Sequence, residues 1–176
     1  MTQLLIPNEH IENITNPLIF LAGPIRSGPN WHDEAVLYLA SKDENLTIVS
    51  PRRFVRDPIA PYIVKSNSEY FPRQRAWERH YLDYASRKGC IMFWLAGETE
   101  HDCNKSYGAM TRVELGQWMT RYSIDNSIKF CVGGDGKFSE ENTIAFDLSI
   151  DAPDKKIFRT LEETCDEALR LARTDM

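Results

Sequence analysis

Two glutamates, Glu78 and Glu114, are the residues of this chain whose setting could do chemistry. Glu114 lies in Tyr107-Gly108-Ala109-Met110-Thr111-Arg112-Val113-Glu114-Leu115-Gly116-Gln117-Trp118, where a helix is expected to open near Thr111, just beyond an apolar strand. At the third helical position the backbone dipoles favour negative charge, by a few tenths to ~1 kcal/mol, which would keep this acid ionised as a nucleophile requires. Leu115, Trp118, Met119 and Tyr122 recur at i, i+3, i+4 and i+7, so a stripe faces the core and Glu114 stands beside it. Thr111-x-x-Glu114 is also the pattern of a capping box, and on the local pattern alone that reading comes first.

Glu78 supplies the second acid. In Trp77-Glu78-Arg79-His80-Tyr81-Leu82 it shares a helix face with Leu82 and Ala85, so its carboxylate is expected to point toward the sheet. A salt bridge to Arg52, Arg53 or Arg112 is one reason for an inward acid. Pairing with Glu114 is another, because displacement at a sugar carbon uses one carboxylate to attack the anomeric centre and one to handle the leaving group's proton.

The elements that must position these acids alternate along the chain. Pro17 to Ala22 reads as a strand closing in Gly23-Pro24-Ile25-Arg26-Ser27-Gly28-Pro29-Asn30. A helix capped by Asn30 follows, marked by Trp31, Ala35, Val36 and Leu39. Leu46 to Val49 is a short strand ending at Ser50-Pro51-Arg52-Arg53, and Phe54 to Arg75 reads as a long loop. A helix from about Ala76 to Arg87 leads into Gly89-Cys90-Ile91-Met92-Phe93-Trp94-Leu95, an unbroken apolar run of the kind buried on both faces of a parallel sheet. After the Glu114 helix come a strand over Ser127 to Val132, a turn at Gly133-Gly134-Asp135-Gly136, a possible strand over Thr143 to Ile150, and a last helix capped by Thr160-x-x-Glu163. This order predicts a doubly wound α/β sheet of about five mostly parallel strands with helices on both faces, and ligands gathering beyond the strands' carboxyl ends.

Composition narrows the function. A chain of 176 residues, 42% hydrophobic and 27% charged, suits one globular domain, with residues 1–16 as a loosely ordered arm. A net charge of -5 and a pI near 5.4 argue against duplex nucleic acid or an acidic membrane as partner, since both call for a basic face. The four cysteines are scattered without a C-x-x-C pair, which favours reduced thiols and a cytoplasmic setting. No signal peptide or membrane span is read, and His32, His80 and His101 lack metal spacing. No Walker A, G-x-G-x-x-G or G-x-S-x-G pattern occurs. The Gly23 loop could cradle a phosphate or a sugar, and Arg26 is either a phosphate contact or a solvated loop arginine.

Phe20-Leu21-Ala22-Gly23-Pro24-Ile25 with Trp31 downstream, Val49-Ser50-Pro51-Arg52-Arg53, Trp77-Glu78, Ile91-Met92-Phe93-Trp94 and Thr111-Arg112-Val113-Glu114-Leu115-Gly116-Gln117-Trp118 occur in order. Together, from about Leu18 to Trp118 and more weakly in the last helix, they resemble the nucleoside 2-deoxyribosyltransferase family, in its branch of short single-domain proteins. The resemblance implies a flavodoxin-like fold that cleaves the N-glycosidic bond of a 2'-deoxynucleoside and passes the deoxyribosyl group to another nucleobase. By the same likeness Glu114 is the nucleophile of a covalent ester and Glu78 serves as acid/base or positioning group. Phe20, Gly23, Pro24, Ile25, Arg26, Trp31, Arg53, Trp77, Trp94, Tyr107, Thr111 and Arg112 are then the expected substrate-binding residues.

With water as acceptor the same site hydrolyses nucleosides or nucleotides, and a non-catalytic nucleotide sensor would keep the sheet and use both glutamates as cap and ion pair. No cofactor or metal is expected. Because relatives complete the site with a neighbouring subunit, a homo-oligomer is implied. The chain departs from the family in three places. Glu78 stands where many relatives carry aspartate, and Gly108 and Ala109 stand where some carry aspartate before the nucleophile. Phe20 replaces an aromatic hydroxyl that touches the nucleophile, for which Tyr107 is the candidate substitute.

Overall fold

In the computed structural model the described residues are 1–7, 9–52, 62–64 and 73–174. The elements in chain order are β1 (Thr2–Leu5), β2 (Leu18–Ala22), α1 (Trp31–Lys42), β3 (Thr47–Val49), β4 (Tyr62–Val64), α2 (Gln74–Lys88), β5 (Cys90–Leu95), α3 (Ala109–Ile124), β6 (Phe130–Gly134), α4 (Glu141–Asp151), β7 (Ile157–Phe158) and α5 (Leu161–Arg173). The seven strands form one sheet in the order β4-β1-β3-β2-β5-β6-β7, and every pairing is parallel. Counted from β2, the stretch β3-β2-β5-β6-β7 has the flavodoxin-like order, with its direction of winding reversing between β2 and β5.

Strand alternation builds two cores. Ile91, Phe93 and Leu95 of β5 join Leu18 and Phe20 of β2 beneath α2, α3 and α4. Cys90, Met92 and Trp94 join Ile19 and Leu21 beneath α1 and α5. Burying Phe20 and Phe93 is worth roughly 1.5–3 kcal/mol each, and it fixes the helices that carry both glutamates over the centre of the sheet. Among the described residues no helix is long and apolar enough to cross a membrane.

Several boundaries differ from the sequence reading. The expected loose arm instead contributes β1, which pairs with β3 and β4, and residues 9–14 are tied along α2. There Trp77 Nε1 donates to Glu9 O at 2.6 Å, and Tyr84 Oη to Ile14 O at 3.3 Å. β4 falls inside the expected 54–75 loop. β6 runs through Gly133 and Gly134 where a turn is expected, because those residues pair with Trp94 and Leu95. A Cβ on Gly133 would lie 2.0 Å from Thr164 Oγ1, so glycine there serves close packing of α5.

Thr143 to Ile150 is helical, within α4. Its Ile144, Phe146, Leu148 and Ile150 alternate as a strand would, but Ile144 and Leu148 also stand i, i+4. That pair packs on the core, while Phe146 and Ile150 stay 65% and 63% exposed. Asn30 does not cap α1 through its side chain and donates instead to the Asp33 carboxylate. Thr160 does cap α5, accepting from Glu163 N at 3.2 Å.

Candidate active site

The amino ends of α2 and α3 meet at the carboxyl edge of the sheet, because α2 enters β5 and α3 leaves it. Trp77, Tyr81, Leu82 and Ala85 bury one stripe of α2, and Leu115, Trp118, Met119 and Tyr122 one stripe of α3. Each glutamate precedes or follows such a residue by one position, so both side chains emerge at the seam between the helices. There Arg75 Nη1 donates to Glu78 Oε2 at 3.1 Å and also to Glu114 Oε1. Gln74 Nε2 donates to Glu78 Oε1 at 2.9 Å and to Pro51 O at 3.2 Å, linking the acid to the end of β3. Two oxygens held on one nitrogen lie no more than about 6 Å apart, two hydrogen-bond lengths.

Among the described residues the cation that pairs with Glu78, and with Glu114 as well, is Arg75 and not the expected Arg52 or Arg112. Arg52 pairs with Asp33 at 3.1 Å, and Arg53 lies outside the described residues. Arg112 donates to Tyr107 O and, at 3.0 Å, to Ser139 O, with its guanidinium 4.5 Å over the Phe138 ring. It fastens two loops together.

The capping-box reading fails on position. α3 begins at Ala109 after Gly108, whose left-handed backbone (φ 62°) starts the helix, so Thr111 is already inside the first turn and Glu114 stands in the second. The helix dipole favours the Glu114 charge less as a result, since that effect is confined to the first turn. Glu114 is only 8% exposed, and burial pushes its carboxyl above the ordinary value. The hydrogen bond and charge of Arg75 oppose that rise, and the nearby Glu78 charge adds to it. Arg75 itself loses by burial but is raised overall by its bonds and charge contacts to Glu114 and Glu78. The Glu114 charge thus depends on a neighbouring helix.

At the β2/β5 switch point a cavity of about 330 Å³ opens between the loop after β2 and the start of α3; it reaches Thr111, one helical turn before Glu114, and neither Glu78 nor Glu114 is in its lining. Of the residues expected to bind substrate, Gly23, Pro24, Ile25, Arg26, Tyr107 and Thr111 line it. A Cβ on Gly23 would sit 2.5 Å from Trp94 O and 2.7 Å from Trp31 Cζ2, so only glycine lets this loop pass. Trp31 is buried behind the loop and donates its Nε1 to Pro24 O at 2.9 Å, which holds the cavity wall.

Phe20 and Trp77 are buried together in the core, ring centroids 6.2 Å apart, and Trp94 packs on the opposite face of the sheet. With Trp31, these three aromatic residues support the site from within, and none of the four lines the cavity. Tyr107 does not replace the missing hydroxyl at the nucleophile: its Oη donates to Ala96 O at 2.9 Å and Gly97 O at 3.1 Å. Burial, then the charges of Asp135 and Glu98, push that phenol up to about 12.

Sequence reasoning missed Gln74 and Arg75. Arg75 to Glu78 at i, i+3 was a readable pair, but its reach to Glu114 depends on how two helices pack. It also missed His32, whose Nδ1 lies 3.0 Å from Ser50 Oγ and whose ring stacks 3.7 Å from that of Trp31. Burial, then Arg52, drive its pKa down to about 3. Among the described residues no group of histidine, cysteine or acid side chains is arranged to hold a metal ion. Compared with known proteins, the chain matches no family model and no curated relative.

Proposed function

We propose that the protein cleaves the N-glycosidic bond of 2'-deoxynucleosides and transfers the deoxyribosyl group to another nucleobase. The observation that carries this reading is the junction of Glu78, Arg75 and Glu114 where α2 and α3 meet at the carboxyl edge of the sheet. Two carboxylates about 5–5.5 Å apart are the arrangement of a retaining glycosyl transfer, and the upper bound set by the shared nitrogen is compatible with it.

Glu114 attacks C1', the C1'–N bond breaks, and the departing base takes a proton delivered at Glu78. The acceptor base then attacks C1', its proton passes to Glu78, and Glu114 is released. Arg75 binds only Oε1 of Glu114, so Oε2 is the attacking oxygen, and the guanidinium opposes the burial that favours the neutral acid. No cofactor or metal takes part in this scheme. Water as acceptor gives hydrolysis, and the resemblance of the same motifs to nucleotide hydrolases supports that second outcome. A sensor module is the third, because Arg75 satisfies both acids without a ligand. We place the protein in the cytoplasm as a homo-oligomer, with exposed Phe146 and Ile150 as apolar surface for a second copy to cover.

Incubation with mixed 2'-deoxynucleosides and deoxynucleotides, with and without free adenine, separates the three. Exchanged nucleoside supports transfer, and free base released only into water supports hydrolysis. Binding of a nucleoside or nucleotide with neither product leaves the sensor and removes the enzyme.

A further inference from the structure

A groove of about 350 Å³ runs between α2 and α3 on the side away from the sheet, walled by Arg75 and Arg79 from one helix and Arg121 from the other, with Trp118 in its lining. Its carboxylate, Asp83, is already paired with Arg87. Among the described residues neither Arg79 nor Arg121 makes an ion pair, and the Arg121 guanidinium lies 4.6 Å over the Trp118 ring. Arg75 meets both glutamates through Nη1 alone, which leaves Nη2 and Nε for another acceptor.

In a chain with a net charge of -5, two uncompensated arginines and a third with spare donors in one groove are out of balance. Guanidinium forks match phosphate oxygens, and opposing walls let several engage one tetrahedral group. The volume is that of a small-molecule site. Arg75 and Arg79 stand one turn apart, about 6 Å along α2, a spacing that suits one phosphoryl group or two linked ones.

We infer that this groove binds a phosphate-bearing anion, and that Arg75, shared between groove and glutamate pair, joins the two sites. The inference deepens the proposed function by naming a phosphorylated ligand, and only the link to Glu114 rests on that function.

Isothermal titration calorimetry of the full chain tests it with three probes: inorganic pyrophosphate, 2'-deoxynucleoside 5'-monophosphates, and the unphosphorylated deoxynucleosides. Pyrophosphate is expected to bind, more weakly at higher salt, and the Arg79→Gln/Arg121→Gln double variant to weaken it at least about tenfold, with Lys88→Gln at the far end of α2 as an unchanged control. Circular dichroism checks that the double variant folds, and the two single variants stand in if it does not. A deoxynucleotide that binds more tightly than pyrophosphate and deoxynucleoside supports one ligand spanning groove and acids. Pyrophosphate binding at least as tightly supports a free-phosphate effector in the same groove. No pyrophosphate heat up to about 10 mM, or equal affinity in the double variant, overturns the inference. Because Glu114→Gln leaves all three arginines in place, pyrophosphate binding by that variant is read independently of any turnover.

Discussion

Arg75 on α2 donates to Glu114 on α3, and this contact opposes the upward push that burial gives a carboxylate its own helix no longer governs. Removing the guanidinium leaves a buried acid with its desolvation and the Glu78 charge unopposed. We expect Arg75→Gln to move the acidic limb of the kcat/KM profile to higher pH, since in the proposed reaction Glu114 must lose its proton to attack. Arg75→Lys should restore part of the shift. A profile unmoved in Arg75→Gln would separate Arg75 from the nucleophile.

Glu114→Gln should abolish base release or exchange while leaving the thermal transition and circular dichroism in place, because the amide keeps the shape and loses the nucleophile. Glu78→Gln should slow turnover by about 10²-fold or more, the usual contribution of a general acid. Chromatographic assay of free base decides both, and full activity in Glu114→Gln refutes the assignment.

His32 makes a separate prediction about stability. The folded protein holds it neutral, with a pKa of about 3 against 6.5 for the free side chain, so the unfolded chain binds the extra proton between those values. Its contribution is therefore complete above pH 6.5 and is lost as pH falls toward 3, by at most about 1.4 kcal/mol per pH unit. The urea midpoint of the wild type should fall relative to that of His32→Phe, which has no proton to gain at this position and keeps the stacking on Trp31, as the pH is lowered from 7 to 4. A constant difference over that range would show that His32 is not the group concerned.

The loop over the cavity depends on Gly28, where a Cβ would fall 2.4 Å from Tyr107 Oη. Gly28→Ala should cost about 1–3 kcal/mol through overpacking, and the cost should shrink in a Tyr107→Phe background that lacks the oxygen. A double-mutant cycle by thermal unfolding measures the coupling. Additive losses would mean that the loop avoids Tyr107 by moving.

The runs through Leu18–Ala22 and Cys90–Leu95 announced a parallel sheet because a strand buried on both faces must be apolar throughout, whereas the outer strands β1, β4 and β7, too short for such runs, raise the expected five strands to seven. Thr143 to Ile150 misled, since its apolar residues fit both a strand's alternation and the i, i+4 pair that α4 uses. Thr111 misled as a cap because a left-handed Gly108 starts α3 earlier, and backbone conformation of that kind leaves only a weak trace in residue type.

Residue types and periodicity alone determined that Glu78 and Glu114 stand beside buried helix stripes next to a central strand, and that Gly23 begins a loop at a strand's end. These are local facts, fixed by which side chains must leave water. Tertiary structure decided that α2 and α3 bring their amino ends together so that Arg75 reaches both acids. It also placed Phe20, Trp31, Trp77 and Trp94 in the core and left Gly23, Ile25, Arg26 and Thr111 around the cavity. Such choices depend on the crossing of helices distant in sequence, and the energy that fixes them is spread over the whole of two cores.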